Sequence, residues 1–458
     1  MTTTKQIQVS KNELDKVQYL TEVLPEIPTN TILYKKLTGL GATYGEITAK
    51  RNSIIIEPNV PVIIGKCNDP KHKDDNLFGV YEGVYTDDIV NYLEKSKKKY
   101  YKILTTPESF QKVKDAFEEL EMSAHCSCFL LFDECHKLVK DADYRNNITL
   151  PIDDFFKFDQ KALVSATPIE LNDPRFKEQN FKMIEIQPTF DYKKELWLHH
   201  TNNTLQALKT VLSKLDNEEA APLPICVFIN STDIIYSLMK QLDLLEDSAV
   251  FCAPKSVDKL KKNRFCNVYE EWNKDKMKRY NFFTSRFFNA VDMELEEQPH
   301  VIMLTDVYFA EHTMIDPYTD AIQIVGRFRN GVSSITYISN TKKGLPQRSK
   351  EEIKGYLICS KEIYRTMKNF YDCATDRASR DAYRAALESL PFNRMLDRNG
   401  RENWFAIDNY MDEELMKNYF YDENSLYKAY DNCDSFIVYH AGYYCPLGDS
   451  ERLKRENK

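Results

Sequence analysis

Short apolar runs alternate with helical patterns through the first three quarters of the chain. The runs "TILYKKL" (31–37), "SIIIE" (53–57), "YKILT" (101–105), "CFLLF" (128–132) and "KALVS" (161–165) predict buried strands. Between them, "DDIVNYLEKS" and "PESFQKVKDAFEEL" place apolar residues at helical spacing, with Thr106 as an N-cap and Pro107 as a first helical residue for the second. Strands separated by helices read as a parallel α/β sheet. A second series follows the loop-like "ELNDPRFKEQN": "ICVFIN" (225–230), "YNFFTS" (280–285), "HVIMLTD" (300–306) and "SITYIS" (334–339). The pattern predicts two tandem α/β domains, 1–190 and 191–345, with the boundary near 188–195. Beyond 345 the alternation fades into a charged, Tyr-rich, mainly helical accessory region, 346–458. Its clearest element is "DRASRDAYRAALESL" (376–390), a helix ended by Pro391. Nothing repeats at a solenoid period.

Composition narrows the class. A chain of 458 residues exceeds one compact core. Its 42% apolar and 29% charged content excludes wholesale disorder. A net charge of -8 excludes a uniformly basic nucleic-acid coat, though not a basic groove. The 11 cysteines form no C-x-x-C pair, against a disulfide framework or zinc ribbon. With no apolar leader they indicate a reduced, cytoplasmic setting. No apolar run approaches ~18 residues, so no membrane span is expected. Glycine is scarce at 13 residues, and Gly39, Gly41 and Gly45 fall together in "TGLGATYGEI" (38–47).

That stretch follows the first strand, where a G-x-G-K-T loop would cradle phosphate, but Ala42 stands in the lysine slot. Alone, it is either a Gly-containing turn or a phosphate loop without its lysine. "FLLFDECHKL" (129–138) is an apolar strand ending in Asp133 and Glu134, at the sheet edge where open α/β sheets bind ligands. In a nucleotide hydrolase the first acid holds Mg²⁺ and the second handles the attacking water; otherwise "DE" is a charged surface turn. One strand later, "LVSATPIE" (163–170) ends in Ser165, Ala166 and Thr167, whose hydroxyls can bond the acids. In "DPYTDAIQIVGRFRNG" (316–331), Asp316, Pro317 and Gly331 suit an N-cap, a first helical residue and a helix exit. Gln323 and Arg327 share a face there, and Arg329 lies about 200° round from Arg327. Guanidinium groups can stabilise a transferring phosphate; the plainer reading is a solvated helix face.

The order D-E-C-H, S-A-T, Q-x-x-G-R-x-R resembles superfamily 2 helicases of the DExH type, over about residues 30–340. "IIIEPNV" (54–60), "LTTPESF" (104–110), "CVFINS" (226–231) and "FFTSRFFNAVDM" (282–293) resemble the family's motifs Ia, Ib, IV and V. In the last, Thr284, Ser285 and Asp292 match, and Ala290 replaces a Gly. "IDPYTDAIQIVGRFRNG" also looks like helicase-like proteins of tailed phages. The resemblance implies two RecA-like domains with ATP and Mg²⁺ held between them. Asp133, Glu134, His136, Gln323, Arg327 and Arg329 would be catalytic, with Mg²⁺ on Thr43 and Asp133. Gly39, Gly41, Ala42, Thr43, Lys36, Asp292, Ser165 and Thr167 would hold nucleotide. Pro58, Thr106, Ser231, Thr284 and Ser285 would touch nucleic acid, DNA ahead of RNA.

The altered loop leaves three readings: a working helicase or translocase, a pseudo-helicase that binds without turnover, and a scaffold that keeps only the fold. Thr43 can still ligate Mg²⁺, and Lys35 or Lys36 can bring charge from the preceding strand. Other features read plainly. "KSKKKYYK" (95–102) and "KLKKNRF" with "KDKMKRY" are solvated turns before they are backbone-tracking patches. "HCSC" (125–128) lacks metal-ligand spacing, and the Tyr-rich tail is expected to bury its rings against the second core.

Overall fold

The computed structural model describes residues 5–13, 15–96, 99–142, 145–167, 170–217, 222–288 and 292–451. The chain divides into two compact units, Met1–Lys36 with Leu40–Gln187 and Pro346–Met416, and Leu37–Gly39 with Pro188–Leu345 and Lys417–Lys458. The α/β class expected from the sequence, two tandem parallel-sheet units with a mainly helical C-terminal region, is the class observed.

The first unit's sheet holds β1 (Lys5–Val9), β2 (Thr31–Tyr34), β3 (Ser53–Ile56), β4 (Leu77–Val80), β5 (Lys102–Thr105), β6 (Phe129–Phe132), β7 (Gln160–Ser165) and β8 (Lys182–Pro188). Their order is β1-β8-β2-β7-β6-β3-β5-β4. From β8 to β4 every neighbouring pair is parallel. Residues of β2, β3, β5 and β6 are almost all buried, because helices cover both faces of a parallel sheet and leave no polar side. The core joins Ile54, Ile56, Ile103, Leu130 and Phe132 to Val113 and Phe117 of the helix Phe110–Glu119. That helix starts later than the sequence predicts. Thr106 instead closes a turn, its Oγ1 accepting from the Ser109 N–H at 3.3 Å.

The second unit's sheet holds β9 (Lys194–Thr201), β10 (Ile225–Phe228), β11 (Ser248–Phe251), β12 (Val268–Tyr269), β13 (Tyr280–Phe283), β14 (His300–Thr305), β15 (Ser334–Ser339) and β16 (Phe436–Tyr443), in the order β12-β11-β13-β10-β14-β15-β9-β16. Every neighbouring pair is parallel. The edge strand β16 comes from the Tyr-rich tail, an element that helical patterning hid. The tail does bury rings: Tyr430 is 0% exposed, donates to the Ile315 carbonyl at 3.0 Å and packs on Tyr337 at 4.8 Å.

The C-terminal region forms no third compact unit. Residues 346–416 pack on the first unit, where Phe405 of the helix Trp404–Lys417 enters the core at 2% exposure. On the same helix Asp408 accepts from the Asn172 backbone N–H at 3.0 Å and side-chain amide at 2.6 Å, and Asp412 pairs with Lys140 at 2.6 Å. The helix Arg377–Ser389, capped by Asp376, matches the prediction for 376–390. Among the described residues no helix is long and apolar enough to cross a membrane.

Burial pushes the Asp408 carboxyl up to about 7 against the pull of its Asn172 donors. A carboxyl raised on folding favours the neutral form. Its stabilisation is complete below the usual Asp range near pH 4 and disappears as pH rises through about 7. Asp408→Asn, an amide that mimics the protonated acid, should flatten that part of the decline, at most about 1.4 kcal/mol per pH unit. Urea unfolding at pH values from 4 to 8 reads the slope, and an unchanged slope would count against the assignment.

Candidate functional site

Neighbouring strands β2, β7 and β6 bring three sequence signals to one sheet edge. Register sets Tyr34 beside Ser165 and Phe132 beside Leu163, so all three carboxyl ends stop together. The loop begins at Lys35, whose N–H donates to the Ser165 carbonyl at 2.8 Å. Gly39 (φ 76°) and Gly41 (φ 81°) take left-handed conformations that a side chain would strain. Ala42 opens the helix Ala42–Thr48 and is buried.

Thr43 Oγ1 donates to Asp133 Oδ2. The other carboxylate oxygen, Oδ1, accepts from the Glu134 N–H at 2.9 Å. Glu134 itself sits at φ 48°, rare for a residue with a side chain, where the chain turns sharply off β6. Lys35 Nζ lies 3.8 Å from Asp133 Oδ1 and 3.7 Å from Glu134 Oε1, with its side chain 6% exposed. His136 Nδ1 stands 3.2 Å from Ser165 Oγ and 3.3 Å from Glu134 Oε2. Ser165 Oγ in turn accepts from the Thr167 N–H at 3.1 Å. Asp133, Glu134, His136, Thr43, Ser165 and Thr167, drawn from sequence positions far apart, thus form one connected set. Pro168 and Ile169, which complete "SATPIE", lie outside the described residues.

Lys36, grouped with the nucleotide set from the sequence, points elsewhere. Its φ of 57° reverses the chain, and its ammonium meets Glu185 and Gln187, each at 2.8 Å. Adjacent lysines therefore serve different partners. Sequence reasoning also missed the buried base beneath the loop. Glu46, on the loop's helix, accepts from Arg51 at 2.5 and 2.9 Å and from Ser53 at 2.5 Å. Lys102 Nζ donates to the carbonyls of Glu46 (2.7 Å) and Ala49 (2.8 Å), closing that end of the helix. Burial pushes the Lys102 ammonium down to about 8, with Glu46 opposing. Glu57, just past β3, was missed as well. Burial pushes its carboxyl up to about 7 against Lys66, with Asp133 and Glu134 adding to the rise. Single charged residues inside apolar runs were the available signal in both cases.

In the second unit the predicted helix is shorter, Asp320–Gly326, with Thr319 in the N-cap position. Asp316 caps the preceding turn instead, accepting from the Tyr318 N–H and the Thr319 hydroxyl. Because the helix ends at Gly326, the 200° separation expected for Arg327 and Arg329 does not apply. Both guanidinium groups meet Asp292, at 3.4 Å from Arg327 and 2.7 Å from Arg329. Arg327, 5% exposed, also donates to Gln323 Oε1 at 2.7 Å. Backbone bonds between Met293 and residues 327 and 329 fix this cluster beside the chain that follows β13. Gly331, at φ 90°, then turns the chain toward β15.

The residues matched to nucleic-acid motifs all follow carboxyl strand ends: Pro58 after β3, Thr106 after β5, Ser231 after β10, and Thr284 with Ser285 after β13. Pro58, Thr106 and Thr284 are buried. Ser231 caps the helix Thr232–Gln241, accepting from the Ile234 N–H at 3.4 Å. Ala290 of the motif V resemblance and Lys97 and Lys98 of "KSKKKYYK" lie outside the described residues.

No protein-family model matches the chain. No curated protein matches it in sequence. Among solved structures it is similar to the Mycobacterium smegmatis helicase Lhr bound to ssDNA and AMP-PNP, at 12% identity over 73% of this chain and 46% of that one, TM-score 0.41. It is also similar to S. cerevisiae Dbp5 bound to RNA and ADP BeF3, at 13% identity over 85% and 90% of the two chains, TM-score 0.42. A DEAD box protein from Methanococcus jannaschii aligns at 14% identity over 68% and 82%, TM-score 0.35. The functional reading rests on this chain's own side chains.

Glu46→Ala should strip the carboxylate from Arg51 and Ser53 and cost about 3 kcal/mol, as breaking a buried ion pair does. Thermal unfolding reads the loss. A melting temperature unchanged from wild type would show that the base does not hold the loop's helix.

Proposed function

We propose that this chain is an ATP-dependent nucleic-acid helicase or translocase of superfamily 2, of the DExH type, working with a phosphate loop that lacks its lysine. The observation that carries this reading is the single sheet edge uniting Thr43, Asp133, Glu134, His136 and Ser165. A hydroxyl on a carboxylate is a hard oxygen donor pair that suits Mg²⁺. The two glycines in left-handed conformations suit a concave run of N–H groups facing an anion. The residues therefore fit a magnesium-bound nucleoside triphosphate. When bound, it supplies the transferable phosphoryl group.

Thr43 and Asp133 would hold the metal. Glu134 is the group to accept the proton of the attacking water, with His136 Nδ1 orienting its carboxylate from 3.3 Å. Ser165 and Thr167 fix His136 in turn. In the second unit, Asp292 and Gln323 hold Arg327 and Arg329 as a paired cationic group suited to charge spreading over a transferred phosphate. Ala42 favours a second reading, a module that binds nucleotide or nucleic acid without turnover.

ATP hydrolysis measured alone and with ssDNA, dsDNA, ssRNA and dsRNA separates the two. Wild type should hydrolyse ATP faster with one of these strands, and Glu134→Gln should lose about 100-fold or more, as loss of a catalytic base does. Equal inactivity of both proteins, with salt-dependent strand binding retained, would favour the second reading and defeat the first.

A further inference from the structure

We propose that Lys35 is the cation that meets the terminal phosphates of the bound nucleotide, standing in for the loop lysine that Ala42 replaces; this rests on the nucleotide reading above. A phosphate loop without its lysine keeps N–H donors but loses the one full positive charge that the β- and γ-phosphates meet on the loop. That charge has to come from a side chain that already lies beside the metal-binding acid. In the first unit Lys35 has that position. Its Nζ stands 3.8 Å from Asp133 and 3.7 Å from Glu134, the two carboxylates assigned to metal and water. Thr43 occupies the opposite oxygen of Asp133, so cation and hydroxyl flank one carboxylate.

The backbone enforces this direction. Lys35 is the first residue past β2, and its N–H is still bonded to the Ser165 carbonyl as a continuation of the β2–β7 ladder. The side chain is thereby anchored at the end of β2, with only β7 between it and β6, whose end carries the acids. The left-handed Lys36 then reverses the chain and commits its own ammonium to Glu185 and Gln187. Two consecutive lysines are thus sorted by one backbone turn. The side chain of Lys35 is 6% exposed, a costly place for an ammonium unless opposite charge is permanently at hand. The acids serve that need without nucleotide, and triphosphate adds further negative charge to the same place. Distances of 3.7 and 3.8 Å are ion-pair contacts longer than a tight hydrogen bond. A small rotation of a flexible four-carbon stem then redirects the ammonium toward an incoming phosphate.

A purely structural role, in which Lys35 only neutralises the acids, makes different predictions, and binding without Mg²⁺ distinguishes them. With metal chelated, the affinities of fluorescent ATP, ADP and AMP analogues read the protein's own cations. Lys35→Met should weaken ATP about ten- to hundredfold, the range for a lost charge-assisted hydrogen bond, and AMP by less than about twofold. Lys35→Arg should stay within about fivefold of wild type for ATP. An equal loss for all three nucleotides, or no loss for ATP, overturns the proposal and leaves the nucleotide reading intact. If wild type binds no nucleotide, the nucleotide reading and the proposal fall together.

A second measurement needs no variant. In an acyl-phosphate derivative of ATP, an amine near the terminal phosphate attacks the acyl carbon. A new amide bond forms, the acyl–oxygen bond breaks, and ATP leaves. Peptide mapping of labelled wild-type protein should find the acyl group on Lys35, suppressed by excess ATP. ATP-protected labelling at another lysine, with Lys35 unmodified, overturns the proposal.

Discussion

Two carboxylates, Asp133 and Glu134, crowd one sheet edge and need donors and an opposite charge around them, and the arrangement of the first unit follows from that requirement. Asp133 is 2% exposed, and Glu134 adjoins it in a left-handed turn. Burying a carboxylate is costly unless donors and an opposite charge meet it. A hydroxyl from Thr43, the N–H of Glu134 and the ammonium of Lys35 meet the need, and each comes from a different stretch of chain. Only a parallel sheet with β2, β7 and β6 as neighbours, all ending at the same level, brings those stretches together. The loop's helix must also stay where Thr43 can reach the acid. A second buried carboxylate, Glu46, fixes it to Arg51 and Ser53.

The second unit solves the mirror-image problem. Two guanidinium groups two residues apart repel each other, and Arg327 is almost wholly buried. Asp292 compensates both, and Gln323 takes a further donor of Arg327 through its side-chain oxygen. The helix stops at Gly326, which frees Arg329 to return to the same carboxylate as Arg327. Backbone pairing of Met293 with Phe328 holds the partners in register. A cation pair held by one acid and one amide is preorganised charge with little side-chain freedom left to lose.

Most of this fold was legible because the strands are short, apolar and bounded by helical patterns, and because a parallel sheet buries both faces. The acids, the S-A-T end and the arginines were legible as types at strand and helix ends. What escaped was direction. Nothing in "KK" tells which lysine faces the acids, since one left-handed residue decides it. Helix starts were misplaced for a related reason. Thr106 and Asp316 are good cap residues, but each stands well before its helix begins and spends its oxygen on the turn that precedes it. Charges inside apolar runs, such as Glu46, Glu57 and Lys102, were invisible as a set because their partners are tertiary. The strand β16 was hidden by a Tyr-rich composition that fits strand and helix alike.

The C-terminal region was expected as a helical, Tyr-rich accessory region, and its residues 346–416 are held to the first unit by the chemistry of their buried faces. Phe405 inserts among phenylalanines of the first unit, 6.5 Å from the Phe176 ring, while Asp408 binds both donors of Asn172. Asn172 lies five residues past Thr167, and Lys140, held by Asp412, lies four past His136. One helix, Trp404–Lys417, therefore grips the chain just beyond two of the clustered side chains, Thr167 and His136. Lys140 ends the helix Lys137–Lys140 that follows His136, and the bonds from Asp408 and Asp412 restrain the chain at Asn172 and at that helix end. Burial, more than neighbouring charge, raises the Asp408 carboxyl to about 7, and its hydrogen bonds to Asn172 pull the other way.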